Sequence, residues 1–242
     1  MKTIIIFISF VILLCCISCD TTEPPINIPP IPTTIAQGPG GPAYLYGFIK
    51  DFVRESEVVT NTDIFIMNQQ DYSDTLLHVF VNSTDASFKI TEIPEGVFDI
   101  IFMNNRYLCA KLGKLTLKPA GNSFYNPNSG GYFIDSTIYI TSIDDSVGNP
   151  IAPPVGLQGY GPAIGVYLKS ETSDSIGWQI VQDSECDTLR VWRYNDPVFD
   201  PYENDVYYLH CHSIENVRNR LMYFNYRKEI LLASPVYEVI QP

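Results

Sequence analysis

Between residues 44 and 121, apolar side chains recur at every second position in short runs separated by Gly, Pro, Asn and Asp. That is the period of a half-buried strand. Runs at 44–49, 62–67, 75–81, 88–90 and 97–103, closed by Leu115 and Leu117, predict about six or seven strands. Leu77, Val79 and Val81 share one face, and Phe88, Ile90, Phe98, Ile100 and Phe102 point inward. So many short strands in so short a stretch predict a small β-sandwich over 43–121 with one core. Beyond it, runs at 132–142, 161–169, 176–182, 188–194, 206–212 and 223–240 read as further strands, with Asp144-Asp145, Gly148-Asn149-Pro150 and Pro153-Pro154 as turns. Ser213 followed by Ile214, Val217 and Leu221 predicts one short capped helix. The fold class is all-β: a sandwich, then a second β-rich region over 122–242. An elaboration of the first sandwich is the alternative.

The N-terminus follows a different pattern. Residues 4–17 are apolar except Ser9, a stretch of about 14 residues that suits a signal peptide and is short for a membrane span of about 20. It ends in Cys16-Ile17-Ser18-Cys19, which resembles the lipobox of bacterial lipoproteins. The resemblance implies a signal peptide over 1–18, cleavage after Ser18 and lipid on Cys19. An ordinary secretory signal cleaved nearby is the alternative, and either one exports the chain. Pro24, Pro25, Pro29, Pro30 and Pro32, then Gly38-Pro39-Gly40-Gly41-Pro42, make 19–42 a lipidated cysteine and a tether. Polyproline II geometry at about 3.1 Å per residue would hold a domain clear of the membrane surface.

The segment Thr84-Asp85-Ala86-Ser87-Phe88-Lys89-Ile90-Thr91-Glu92-Ile93-Pro94-Glu95-Gly96-Val97-Phe98-Asp99-Ile100 resembles the signature of the carboxypeptidase regulatory-like domains, which are transthyretin-like sandwiches. Gly47-Phe48-Ile49, Arg106-Tyr107 and Leu115-Thr116-Leu117 fit that family's opening, its Gly-Tyr and its last strand, although Ser87 and Arg106 stand where the family favours Gly. The expected local structure is a strand, a tight reversal at Pro94-Glu95-Gly96 and the returning strand. The resemblance implies a stalk, spacer or ligand-contact module without enzymatic activity.

Charge and cysteine content narrow the partners. Among 242 residues, 15 Lys+Arg face 27 Asp+Glu, a net charge of −12, which supplies no basic face for a phosphate backbone and excludes nucleic acid. Export leaves Cys109, Cys186 and Cys211 in the folded part. Cys186 and Cys211 are the expected disulfide, closing the acidic stretch 195–205, with Cys109 a buried thiol in the first sandwich. Three free thiols are the alternative.

His210-Cys211-His212 resembles the last copper motif of multicopper oxidases, but the chain has 3 histidines in all, so such copper centres are excluded. His212-Ser213-Ile214-Glu215 resembles the His-x-x-Glu zinc pair of metallocarboxypeptidases without the downstream His. His210 and His212 share a strand face and could hold a metal with a nearby carboxylate; exposed strand histidines are the plainer reading, and for His78 as well. The loop 195–205 lacks EF-hand order, Gly159-Tyr160-Gly161 lacks a third dinucleotide glycine, and no Walker loop or nucleophile elbow occurs. No catalytic residue, metal or cofactor is assigned. The expectation is a non-enzymatic, lipid-anchored protein of the bacterial envelope, at the outer membrane on its periplasmic or surface face. It would bind or scaffold another envelope protein or a glycan, and a hydrolytic or metal-dependent accessory enzyme using the C-terminal region is the alternative.

Overall fold

Alternating sequence makes strands here, and two of the sheets close on each other because each has one apolar face. The computed structural model describes residues 34–54, 57–69, 72, 75–82, 84–117, 133–134, 137–146, 158–192 and 205–239. Chain order begins with β1 (Thr34–Gln37), β2 (Ala43–Asp51), β3 (Thr62–Asn68), β4 (Thr75–Val81), β5 (Ser87–Ile93), β6 (Gly96–Asn104) and β7 (Tyr107–Leu117). It continues with β8 (Phe133–Ile134), β9 (Thr137–Ile140), a 3-10 turn at Ile143–Asp145, β10 (Gln158–Leu168), α1 (Asp174–Asp183), β11 (Asp187–Trp192), β12 (Val206–His210), α2 (Ile214–Asn225) and β13 (Ile230–Val239). Most of the described residues are strand, as the patterning predicts.

One sheet runs β1-β5-β2-β9-β8 and the second β4-β3-β6-β7. Between them Ile49, Ile64, Phe88, Ile100, Phe102 and Ile138 are fully or almost fully buried in one core. The predicted inward residues Val79, Val81, Phe88, Ile90, Phe98, Ile100 and Phe102 all join it, and Leu77 packs against it half-buried. Pro94-Glu95-Gly96 is not a hairpin turn. β5 and β6 lie in different sheets, so these residues carry the chain across the core and set Phe88 and Ile90 opposite Phe98 and Ile100. The first sheet also recruits strands from outside the 43–121 stretch. β1 joins β5 in parallel with Ala36 opposite Ile90, and β9 joins β2 in parallel with Ile138 opposite Ile49.

The third sheet runs β11-β12-β10-β13, all antiparallel. With α1 and α2 between the strands, this is the order of the split βαβ, or ferredoxin-like, arrangement. The stretch 176–182, predicted as strand, is therefore helical. Ile176, Trp178 and Ile180 alternate, but α1 buries Gly177, Ile180 and Val181 and leaves Ile176 and Trp178 exposed. Gly177 lets the helix lie on β10, because a Cβ there would come within 2.3 Å of the Leu168 Cδ1 atom. The predicted helix after Ser213 is present and longer than expected, at 12 residues. The Ser213 hydroxyl accepts from the Asn216 amide at 3.3 Å, and Val217, Leu221 and Phe224 are buried at helical spacing.

Helix α2 faces two ways. Its apolar stripe meets Ile164, Val166 and Leu209 of the third sheet, while Met222 packs with Met67, Ile101 and Cys109 on the outer face of the second. At its end, buried Asn225 donates to the carbonyls of Cys109 (2.9 Å) and Ala233 (3.0 Å) and accepts from the Ala233 amide (2.7 Å). Strand β13 passes so close to β7 that a Cβ on Gly113 would sit 2.2 Å from the Leu231 carbonyl oxygen. Further along β13, Tyr237 hydrogen-bonds Thr141 and rests on Phe52 with ring centroids 4.6 Å apart.

Charges are buried along the same seam. Asp99, on the outward face of β6, accepts from Lys169 Nζ at 2.6 Å, the Lys114 amide at 2.8 Å, Gln69 at 3.1 Å and the Tyr72 hydroxyl. Lys111 Nζ lies 3.2 Å from the same carboxylate, donates to the carbonyls of Arg227 (2.9 Å) and Ile230 (2.6 Å), and stands over the Tyr72 ring. Burial works against the Asp99 charge, but the two lysines outweigh it and hold the carboxyl below its usual range. Lys111 is pulled down to about 8, chiefly by burial.

A second ionic cluster fixes the 3-10 turn. Arg54 Nη2 is 2.7 Å from Asp145 and its Nη1 3.4 Å from Asp51, and both carboxylates are fully buried. Neither Asp145 oxygen has an aligned donor among the described residues.

Two outcomes follow from these clusters. Asp99→Asn leaves two buried lysines without a counter-charge and should cost about 3 to 5 kcal/mol in urea unfolding at neutral pH; unchanged stability would contradict this account of the seam. Burial, then the Asp51 charge, raises the Asp145 carboxyl to about 6 from 3.8. The folded state thus holds this proton more tightly, a contribution present below 3.8 and lost as pH rises through about 6. Relative to Asp145→Asn, the native protein should lose stability across that window, and a flat difference would refute the assignment.

Candidate functional site

The site that gathers the most reactive side chains lies at the open end of the β11–β12 hairpin. The hairpin register sets Asp187 directly opposite His210, so their side chains share a face. Cys186 precedes Asp187 and Cys211 follows His210, which brings the two sulfurs to 3.8 Å, both as thiols. Cys211 is buried and its amide donates to the Pro162 carbonyl at 2.8 Å, while Cys186 is half-buried beside the end of α1. Its hydrogen bond to Cys211, then Ser184, Arg220 and His212, lower the Cys186 thiol to about 6 against the opposing effect of burial. The same contact and burial raise Cys211.

His212 is placed by strained backbone. It has φ +63° and Glu185 has φ +57°, left-handed values that non-glycine residues adopt rarely. These two turns point at each other: His212 Nε2 lies 2.9 Å from the Glu185 carbonyl oxygen. A carbonyl only accepts, so Nε2 is the donor in this contact, and Nδ1 on the other side of the ring lies 3.4 Å from Asp187 Oδ2. The His212 amide donates to His210 Nδ1 at 3.2 Å, and the two rings stand nearly perpendicular. Arg220 of α2 pairs with Glu185 at 2.8 Å and Asn216 donates to the Cys211 carbonyl at 3.0 Å, tying the corner to the helix.

The structure thus collects Cys186, Cys211, His210 and His212, all singled out in the sequence, and adds Asp187, Glu185 and Arg220. Those three carried no sequence signal, because only the hairpin register and the left-handed turns bring them to the histidines. Glu215, the second member of the carboxypeptidase-like pair, instead bonds its own amide and the Ser213 hydroxyl at the start of α2. His78 is on β4, exposed, paired with Asp63 at 2.6 Å and stacked on Phe65. Cys109 is buried in the middle cluster and its thiol is raised to about 12, chiefly by burial. Cys19, residues 20–33 of the predicted tether and residues 195–204 of the acidic loop lie outside the described residues. The rest of the predicted 19–42 tether is not a free linker, because 34–37 form β1 and the Gly38 and Gly40 amides bond the Thr91 and Glu92 carbonyls.

The Asp99 cluster resembles an active site in its burial and shifted groups, and its described hydrogen bonds join the elements that meet at the seam. Comparison of the chain with protein-family models, curated proteins and solved structures gives no match.

Proposed function

We propose that the chain is a lipid-anchored protein of the bacterial envelope, at the outer membrane, whose β-rich body binds or scaffolds another envelope protein or a glycan without catalysis. The observation that carries this reading is Ser18-Cys19 at the end of an apolar segment, followed by a proline-rich tether. No described helix is long and apolar enough to cross a membrane. One structural feature supports the reading. The strand nearest the tether, β1, is the outermost of its sheet and pairs in parallel with β5, so tension from an anchor would enter the body through main-chain bonds. The buried ions of the seam are matched internally, which favours scaffold over enzyme. A transthyretin-like ancestry for the 43–121 stretch belongs to the same proposal and rests on the sequence resemblance alone.

A second reading, a hydrolytic or metal-dependent accessory enzyme, is favoured by one observation, the histidine–carboxylate corner of the third sheet. In either reading, export places Cys186 and Cys211 in an oxidising compartment at contact distance, where they would close a disulfide.

Mass spectrometry of the mature N-terminus should find a diacylated or triacylated Cys19, and an unmodified amine at any later residue would overturn the anchor. Thiol titration of the unfolded exported protein should give Cys109 as the one free thiol. Three free thiols would remove the bridge and leave the anchor untouched.

A further inference from the structure

Asp187, His210 and His212 have ligand atoms all within 4.8 Å of one another at the solvent-facing end of the β11–β12 hairpin. A tetrahedral ion with bonds of about 2.1 Å needs its ligand atoms about 3.4 Å apart. His212 Nδ1 and Asp187 Oδ2 already stand at 3.4 Å. In metal sites the coordinating imidazole characteristically gives its other N–H to a carbonyl or carboxylate, which fixes the tautomer and aims the lone pair. The His212 Nε2 contact with the Glu185 carbonyl at 2.9 Å is such an arrangement, held by two left-handed residues and by the Arg220–Glu185 pair. His210 completes the set from the cross-strand position opposite Asp187. Among the described residues its Nδ1 accepts a long 3.2 Å bond from the His212 amide, which an exposed backbone amide can exchange for water.

We infer that Asp187, His210 and His212 form a binding site for a divalent transition-metal ion. Two imidazoles and one carboxylate are the donor set of borderline ions such as Zn²⁺, Ni²⁺ and Cu²⁺, and they are too few and too nitrogen-rich for Ca²⁺ or Mg²⁺. Three protein ligands leave one position open to water or to a donor from a bound partner. Cys186 and Cys211 sit beside this set and outside it, so the ion is held by nitrogen and oxygen alone. The inference goes beyond the anchor reading and holds whether or not Cys19 carries lipid.

The test is titration of the purified, tag-free protein with Co²⁺ and then Zn²⁺, followed by absorption spectroscopy. The expected result is one saturable Co²⁺ per chain, displaced by Zn²⁺, with ligand-field bands and no sulfur-to-cobalt charge transfer. His212→Asn tolerates the left-handed backbone and removes the imidazole, and Asp187→Asn keeps the side-chain shape and removes the charge. Each should weaken binding by about 100-fold, with thermal unfolding confirming that both variants fold, and His78→Ala should change nothing. Absence of saturable binding, a sulfur-to-cobalt band, or full affinity in folded His212→Asn and Asp187→Asn would each overturn the site.

Discussion

A single carboxylate, Asp99, compensates two ammonium groups that have almost no contact with solvent, Lys111 and Lys169. Removing an ion from water costs several kcal/mol even after relaxation, so none of the three would be buried without the others. They come from different parts of the chain. Asp99 and Lys111 stand on neighbouring strands of the second sandwich sheet, Lys169 directly follows the first strand of the third sheet, and the carbonyls that receive Lys111 are those of Arg227, in the turn after α2, and Ile230, at the start of β13. The cluster therefore forms only when the third sheet and its helix are docked on the sandwich. Apolar burial of Met67, Ile101 and Met222 and the three hydrogen bonds of Asn225 act along the same seam.

That docking also shapes the histidine corner. Helix α2 is held at its C-terminal end by Asn225, and its earlier turns carry Asn216 and Arg220 to the Cys211 carbonyl and to Glu185. The backbone that aims His212 is thus fixed through a helix whose far end is anchored in the sandwich. A rigid element behind an exposed ligand set is what holds donor atoms near a productive spacing.

The sandwich was legible because its strands bury one face at a time and the period-two pattern of Phe88, Ile90, Phe98, Ile100 and Phe102 survives. In two other places the pattern and the structure differ for identifiable reasons. In α1 the apolar residues Ile176, Trp178 and Ile180 alternate by accident, and the true buried face includes Gly177, a residue with no hydrophobic signature. At Pro94-Glu95-Gly96 turn chemistry announces a reversal without saying whether the returning strand stays in the same sheet or crosses to the other. The buried partners Asp99, Lys111 and Lys169 look like ordinary solvated charges in sequence, since nothing local distinguishes a lysine that faces solvent from one that faces an aspartate dozens of residues away. At the corner, the side chains with characteristic chemistry were visible, and the carboxylate that completes them depended on strand register.

The central claim is that the sandwich and the third sheet form one cooperative body locked by the Asp99 cluster. Native-state hydrogen exchange measures this most directly, because it resolves the opening free energy of each element separately. Slowly exchanging amides of β2 and β6 should open with the same free energy as those of β10 and α2, to within about 1 kcal/mol, and with the same dependence on denaturant. Exchange of β10 and α2 through a lower-energy opening that leaves β2 and β6 protected would show two independent units and contradict the account.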